Sequence, residues 1–322
     1  MKTVSCNLCG ADLKSYYGKR PVAVPLVLGH EFLSIIVENP NGEEFTTDYN
    51  NQMIYKGDRV IFYIIHFCST CYYCNNGLPQ KCINQQKIGH SVFSVLPMGG
   101  LSSFNVFDKH IPIFRIPNKV SDFFAGTLTC SFTTAYTALS TLKLGFSREF
   151  VVVGSGLLAV FLCLILKEKK ATTITVVIND IAKASVFSKA EVHEIILLEG
   201  ALSRKTMKYD CLIDAAGDST LIERAITDLT DFGEIVLLGS THPVNDIKIN
   251  PEMLVRKCIS IHSVHNYTPK DLSEALSLME KMYAKIAFVE NYCADFQFSN
   301  VKEAFQYAKQ FNPLRCKINF AM

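Results

Sequence analysis

Glu149-Phe150-Val151-Val152-Val153-Gly154-Ser155-Gly156-Leu157-Leu158-Ala159 is the stretch from which the fold can be read. Phe150 to Val153 form a short apolar β-type run, and beyond the glycines the apolar character continues to Leu166. Val151 to Leu166 falls short of the roughly 18–20 apolar residues that a membrane-spanning helix needs. It therefore reads as a buried strand entering a buried helix. Gly154, Gly156 and Ala159 fit G-x-G-x-x-G/A. In that pattern the first glycine permits a tight turn and the second lets backbone approach a pyrophosphate. The small third residue lets helix and strand pack closely, with the phosphates at the helix N-terminus, here Leu157.

The segments that follow supply the context this turn requires. Thr173 to Ile178 reads as a second strand, Ile181 to Ala190 as a helix, and Cys211–Asp214 and Glu234–Leu238 as further buried strands. Strands alternating with helices imply a parallel sheet with right-handed crossovers. Residues 146–286 are thus expected to form a doubly wound Rossmann domain. Asp180, at the end of the second strand, is expected to accept hydrogen bonds from the adenosine ribose hydroxyls. A 2′-phosphate would meet that charge unfavourably, which favours NAD over NADP; Asn179 is adjacent and could take the position, and Lys183 is near.

Residues 1–145 have another character, with glycine, proline and short β-type runs such as Phe32 to Val37 and little helical periodicity. This segment is expected to be a β-rich domain. An amphipathic helix follows Asp271, and a helix over Val301–Gln310 and a strand over Cys316–Phe320 close the chain, so that about 287–322 completes the first domain. The fold class is α/β with two domains, which suits 322 residues.

The totals exclude some partners. Hydrophobic residues make up 49% and charged residues 19%, the balance of a soluble protein, and a net charge of +2 argues against nucleic acid. The first residues do not read as a secretory signal. Twelve cysteines without one point to metal or thiol chemistry in a reducing compartment, the cytoplasm, with no membrane partner. Cys6, Cys163, Cys211, Cys258, Cys293 and Cys316 are scattered and are expected to be small buried apolar residues.

Cys68, Cys71, Cys74 and Cys82 have the spacing C-x2-C-x2-C-x7-C. Four thiolates this close can close a tetrahedral shell on a structural zinc, chance clustering or an iron–sulfur centre being the alternatives. A second set is more dispersed: Cys9 in Cys9-Gly10-Ala11-Asp12, His30 in Gly29-His30-Glu31, and Cys130. Two thiolates and one imidazole leave a fourth position open, as a catalytic zinc requires. Asp12 and Glu31 suit the shell that orients the ligands.

Together these motifs resemble the zinc-containing medium-chain dehydrogenase family over nearly the whole chain. Cys130-Ser131-Phe132-Thr133-Thr134-Ala135-Tyr136 is similar to the third ligand motif, and Asp214-Ala215-Ala216-Gly217 and Gly233 to Gly239 to the cofactor-domain strands. The resemblance implies a GroES-like catalytic domain beside the Rossmann domain, two zinc ions, NAD, a homodimer, and hydride transfer between a small alcohol or polyol and the cofactor. Gly77 to Cys82, Gly89-His90 and Val264 to Pro269 resemble a branch associated with phosphonate breakdown, implying an anionic substrate that Lys14, Lys19 and Arg20 could attract.

The sequence also departs from the family. It starts a few residues before the first ligand, so the GroES-like domain is expected to lack its opening strands. Ala11 stands where most members carry Ser or Thr, and Lys14 where many carry a relay histidine, which leaves proton relay to a water or to Lys14. Ser34 replaces a glycine, and Ser102-Ser103 replace Ala-Glu. These departures keep open a second reading, a non-catalytic dinucleotide-binding relative.

Overall fold

A computed structural model describes residues 1–38, 45–91, 98–107, 110–145, 148–241 and 243–321; residue 146, expected to open the second domain, lies outside them. The chain divides into one unit of Met1–Thr133 with Asn266–Met322 and a second of Thr134–His265.

In chain order the first unit contributes strand β1 (Lys2–Leu8), helix α1 (Gly10–Tyr16), β2 (Glu31–Ile35), the hairpin β3 (Phe45–Thr47) and β4 (Met53–Tyr55), and β5 (Arg59–Phe62). A short hairpin β6 (Ile65–His66) and β7 (Gln86–Lys87) brackets the turn helix α2 (Tyr72–Asn75), β8 (Ile113–Arg115) and α3 (Asp122–Leu128) follow, and α4 (Ser131–Ser140) runs on into the second unit. The second unit runs β9 (Glu149–Val153), α5 (Leu157–Glu168), β10 (Thr173–Ile178), α6 (Ala184–Lys189), β11 (Glu194–Leu197), α7 (Leu198–Ser203), β12 (Tyr209–Asp214), α8 (Ser219–Asp228), β13 (Leu229–Leu237), α9 (Pro251–Lys257) and β14 (Ser260–Ser263). The chain then returns to the first unit with α10 (Pro269–Ile286), β15 (Ala294–Gln297), α11 (Val301–Phe311) and β16 (Cys316–Asn319).

The first unit is built on a six-stranded sheet of order β15-β16-β1-β2-β5-β8. β1 lies inside it, antiparallel to both neighbours, with Leu8 opposite Cys316 on one side and Asn7 opposite Glu31 on the other. That register brings the residue after β1, the start of β2 and the approach to β16 to one end of the sheet. The domain carries more helix than its composition suggests. α3 packs on β1 and β2 with Phe123, Phe124 and Leu128 fully buried, and its seven residues are too few for a 3.6-residue period to stand out.

The second unit is a parallel sheet of order β11-β10-β9-β12-β13-β14. Strand order reverses beside β9, the place where doubly wound sheets open a crevice at their carboxyl ends. The expected strands and the buried helix α5 are present, and the fold class is the one read from the sequence. α5 is apolar on every side because it is buried on every side, from Leu157 to Leu166 with only Leu158 partly exposed. Two expectations need correction. The helix over Ile181–Ala190 breaks into a 3₁₀ turn, Ile181–Lys183, and α6, because Asp180 caps the turn through the Ala182 amide at 3.0 Å. Among the scattered cysteines, Cys258 is exposed and Cys293 half-buried; Cys258 ends α9 in a left-handed conformation, outside any core.

Truncating a side chain of α5 tests whether this helix holds the second unit. Phe161→Ala should cost about 3–5 kcal/mol, the usual loss for a fully buried phenylalanine, seen as a lower denaturant midpoint at unchanged slope. A loss under about 1 kcal/mol would show that α5 is not packed as described.

Candidate active site

At the converging end of the first sheet, Cys9 follows β1, His30 precedes β2, and Cys130 occupies the break between α3 and α4. One ligand atom from each of Cys9, His30, Glu31 and Cys130 lies within 4.8 Å of all the others. His30 and Glu31 are almost wholly buried, while Cys9 and Cys130 keep some exposure. The structure thus brings together three residues spread over 122 positions of sequence, from Cys9 to Cys130.

Asp12 organises this cluster. As the third residue of α1 it accepts from the Cys9 amide at 2.9 Å, from the Gly29 amide at 3.1 Å and from His30 Nδ1 at 3.2 Å. The contact to Nδ1 leaves Nε2 as the nitrogen that can bind a metal. Burial opposes a charge on His30, but Asp12 and Cys9 together outweigh it and raise the imidazole to about 10. The Cys9 thiol is held well below its usual range, first by the hydrogen bond shared with Cys130 and then, against burial, by Arg315 and His30.

Glu31 is not left free to ligate. Both of its oxygens are taken by Arg315, from Nε at 2.9 Å and Nη2 at 2.8 Å, and Arg315 Nη2 also reaches Cys9 Sγ at 3.7 Å. Burial raises the Glu31 carboxyl, with Arg315 pulling the other way. Arg315 escaped the sequence reading, where its only signal is a charge set directly before an apolar strand. Thr129 escaped it too; its hydroxyl donates to the His30 carbonyl at 2.7 Å and fixes the residue before Cys130. Ala11 on α1 offers no hydroxyl, and the ammonium of Lys14 is lowered by burial, with Arg20 and Lys19 adding to the effect against Cys9.

Cys68, Cys71, Cys74 and Cys82 form the second cluster with metal-ligand geometry among the described residues. Sulfur pairs Cys71–Cys74 and Cys68–Cys82 stand 3.5 Å apart. A tetrahedron with zinc–sulfur bonds of about 2.3 Å has edges of about 3.8 Å, so the donor set fits zinc. The amides of Cys68 and Asn84 point at Cys82 Sγ from 3.3 and 3.4 Å.

In the second unit the glycine turn leaves β9 with Gly154 at φ 145°, a conformation that side chains rarely adopt. A Cβ on Gly156, at the N-terminus of α5, would meet nothing within 4 Å, so the backbone there is open to a ligand. The amides at this helix end fit a pyrophosphate. Ser155 bridges the turn to the end of β10, with its hydroxyl 2.6 Å from Asn179 Oδ1 and accepting from the Asn179 amide at 3.0 Å. Asn179 is therefore held by the turn, and Asp180 stands next to it.

Residues 1–118 match the family model described as "Alcohol dehydrogenase GroES-like domain". The chain is 25% identical over 304 residues to the sorbitol dehydrogenase of Halalkalibacterium halodurans, spanning 91% of this chain and 84% of that one. Both matches are thus to proteins of the alcohol dehydrogenase type. It is 26% identical over 332 residues to the starvation-sensing protein RspB of Escherichia coli, covering 99% and 90% of the two chains. Among solved structures, an alcohol dehydrogenase of Thermotoga maritima superposes with a TM-score of 0.89 at 20% identity, covering 99% of this chain and 91% of that one. This likeness is one of fold. Among the described residues no helix is long and apolar enough to cross a membrane.

The Glu31–Arg315 pair should show the asymmetry of buried ion pairs. Arg315→Met leaves a carboxylate buried without its partner and should cost about 3–5 kcal/mol. Adding Glu31→Gln should recover part of that loss in thermal unfolding. A single variant as stable as the parent would mean that the pair does not carry the buried charge.

Proposed function

We propose that the chain is a zinc-dependent dehydrogenase moving a hydride between a small alcohol or polyol and NAD. The observation that carries this reading is the convergence of Cys9, His30 and Cys130, with Asp12 on the far nitrogen of His30. These three residues would hold one zinc ion, and the four-cysteine lobe a second. Bound there, zinc supplies Lewis-acid polarisation of the alcohol or carbonyl oxygen, and NAD supplies the hydride acceptor.

The chain's own residues prepare that chemistry. Asp12 sets the tautomer of His30 and raises its basicity. Glu31 brings negative charge to within reach of the ligands, and Arg315 balances it, so the centre does not accumulate excess anion. Gly154, Gly156 and Leu157 would receive the pyrophosphate, and Asp180 the adenosine ribose, whose neighbouring charge disfavours the 2′-phosphate of NADP. The substrate class extends to small hydroxylated anions, including the phosphonate-related ones suggested by the narrower sequence likeness. We place the active form in the cytoplasm as a homodimer.

The test is NAD reduction at 340 nm by zinc-loaded protein over a panel of alcohols and polyols, with Cys130→Ser as comparison. Turnover in the parent should fall by about a thousandfold or more in the variant, the several kcal/mol that a Lewis acid provides. NADH binding by fluorescence should be kept. Binding of NADH without turnover of any compound in the parent would instead identify a non-catalytic relative.

A further inference from the structure

Beside the Cys9–His30–Cys130 centre sits a basic cluster that hydride transfer itself does not use. Its scaffold is the turn leaving β7, where the amides of His90 and Ser91 both donate to the Lys87 carbonyl, at 2.9 and 2.8 Å. Gly89 stands in this turn at φ 76°, and a Cβ there would lie 2.5 Å from the Gly29 carbonyl oxygen and 3.1 Å from His30 Cβ. The turn therefore rests its backbone directly on Gly29-His30. As a result the His90 ring packs on the His30 ring, with centroids 4.3 Å apart.

Arg20, from the segment after α1, places Nη1 2.9 Å from His90 Nδ1. A guanidinium only donates, so Nδ1 is the acceptor and the imidazole proton resides on Nε2. That Nε2 is buried and has no hydrogen-bond partner among the described residues. A buried donor left unpaired is costly, and such groups in native structures call for a missing partner. Lys87 Nζ donates to the neutral Asn266 Oδ1 at 2.9 Å, and it is near enough to Cys130, Arg20, Cys9 and the Asp12 carboxylate to interact with each through space. Neither Lys87 nor Arg20 pairs with a carboxylate among the described residues. Two cations and an unpaired N–H thus gather at one place beside the reacting centre.

We propose that Arg20, Lys87 and His90 Nε2–H form a subsite for an oxyanion of the substrate, which is then a short hydroxylated carboxylate or phosphate ester. Arg20 serves both as a charge and as the group that fixes the His90 tautomer. The inference takes the position of the reacting carbon from the dehydrogenase reading, while anion binding can be measured without it.

Inorganic phosphate and acetate are titrated into zinc-loaded protein at constant ionic strength by calorimetry, with the parent, Lys87→Gln, Lys87→Arg and Arg20→Gln. At least one of the two anions should bind the parent. Lys87→Gln and Arg20→Gln should each weaken that binding about tenfold or more, the range of a lost charge-assisted hydrogen bond, and Lys87→Arg should restore most of it. Lys87→Gln keeps an amide able to meet Asn266, and NADH fluorescence confirms that each variant is folded. In turnover with NAD, glycerol 3-phosphate or glycerate should exceed glycerol in kcat/KM by about tenfold or more, the preferred one distinguishing phosphate from carboxylate. Absence of anion binding, or binding unchanged in both variants, overturns the subsite. Anion binding lost in the variants with no turnover of any compound supports the subsite and removes the dehydrogenase reading. Turnover of glycerol with no preference for either anion does the reverse.

Discussion

The bidentate contact between Arg315 and Glu31 is the constraint on which the first unit depends. A carboxylate with no exposure is tolerated only when its charge is matched and its oxygens are taken. Arg315 does both, and it comes from the far end of the chain, 284 positions away. The antiparallel register of β1 between β2 and β16 makes that meeting unavoidable, since Asn7 faces Glu31 while Leu8 faces Cys316. The same register delivers Cys9 and His30 to one end of the sheet. The approach to the last strand thus supplies the positive charge that balances Glu31 beside Cys9 and His30.

The surroundings of the centre follow the same logic of matched donors and acceptors. Asp12 meets three donors, two of them main-chain amides, so a fully buried carboxylate costs little and the imidazole is held in one orientation. Thr129 ties the segment before Cys130 to the His30 carbonyl, and the Tyr267 hydroxyl donates to the Thr129 carbonyl in turn. In the second unit the sheet reversal beside β9 and the glycine turn put open backbone at the N-terminus of α5. These are positions that a ligand needs and that packing alone would not leave.

Much of this was legible in the sequence, for identifiable reasons. Gly154, Gly156 and Ala159 announce themselves because turn, approach and packing each demand a small residue at a fixed spacing. The four-cysteine lobe is legible because its donors are local, with Cys68 and Cys82 only 14 positions apart. Cys9, His30 and Cys130 needed the resemblance to be chosen from twelve cysteines and eight histidines. Arg315 was hidden because its partner is set by strand register, which no local pattern encodes. Lys87 and His90 were hidden likewise, since it is the contact of one turn with another that brings them beside His30. The short helix α3 was missed because burial on nearly all sides removes the apolar–polar alternation that reveals a helix.

The central claim is that Cys9, His30 and Cys130 hold a metal, and elemental analysis of the purified protein addresses it most directly. The account predicts two zinc ions per chain, one of which is lost in Cys130→Ser while the four-cysteine lobe keeps the other. A single zinc ion in the parent, unchanged by that substitution, would contradict it and leave the converging residues without the metal that the proposed chemistry requires.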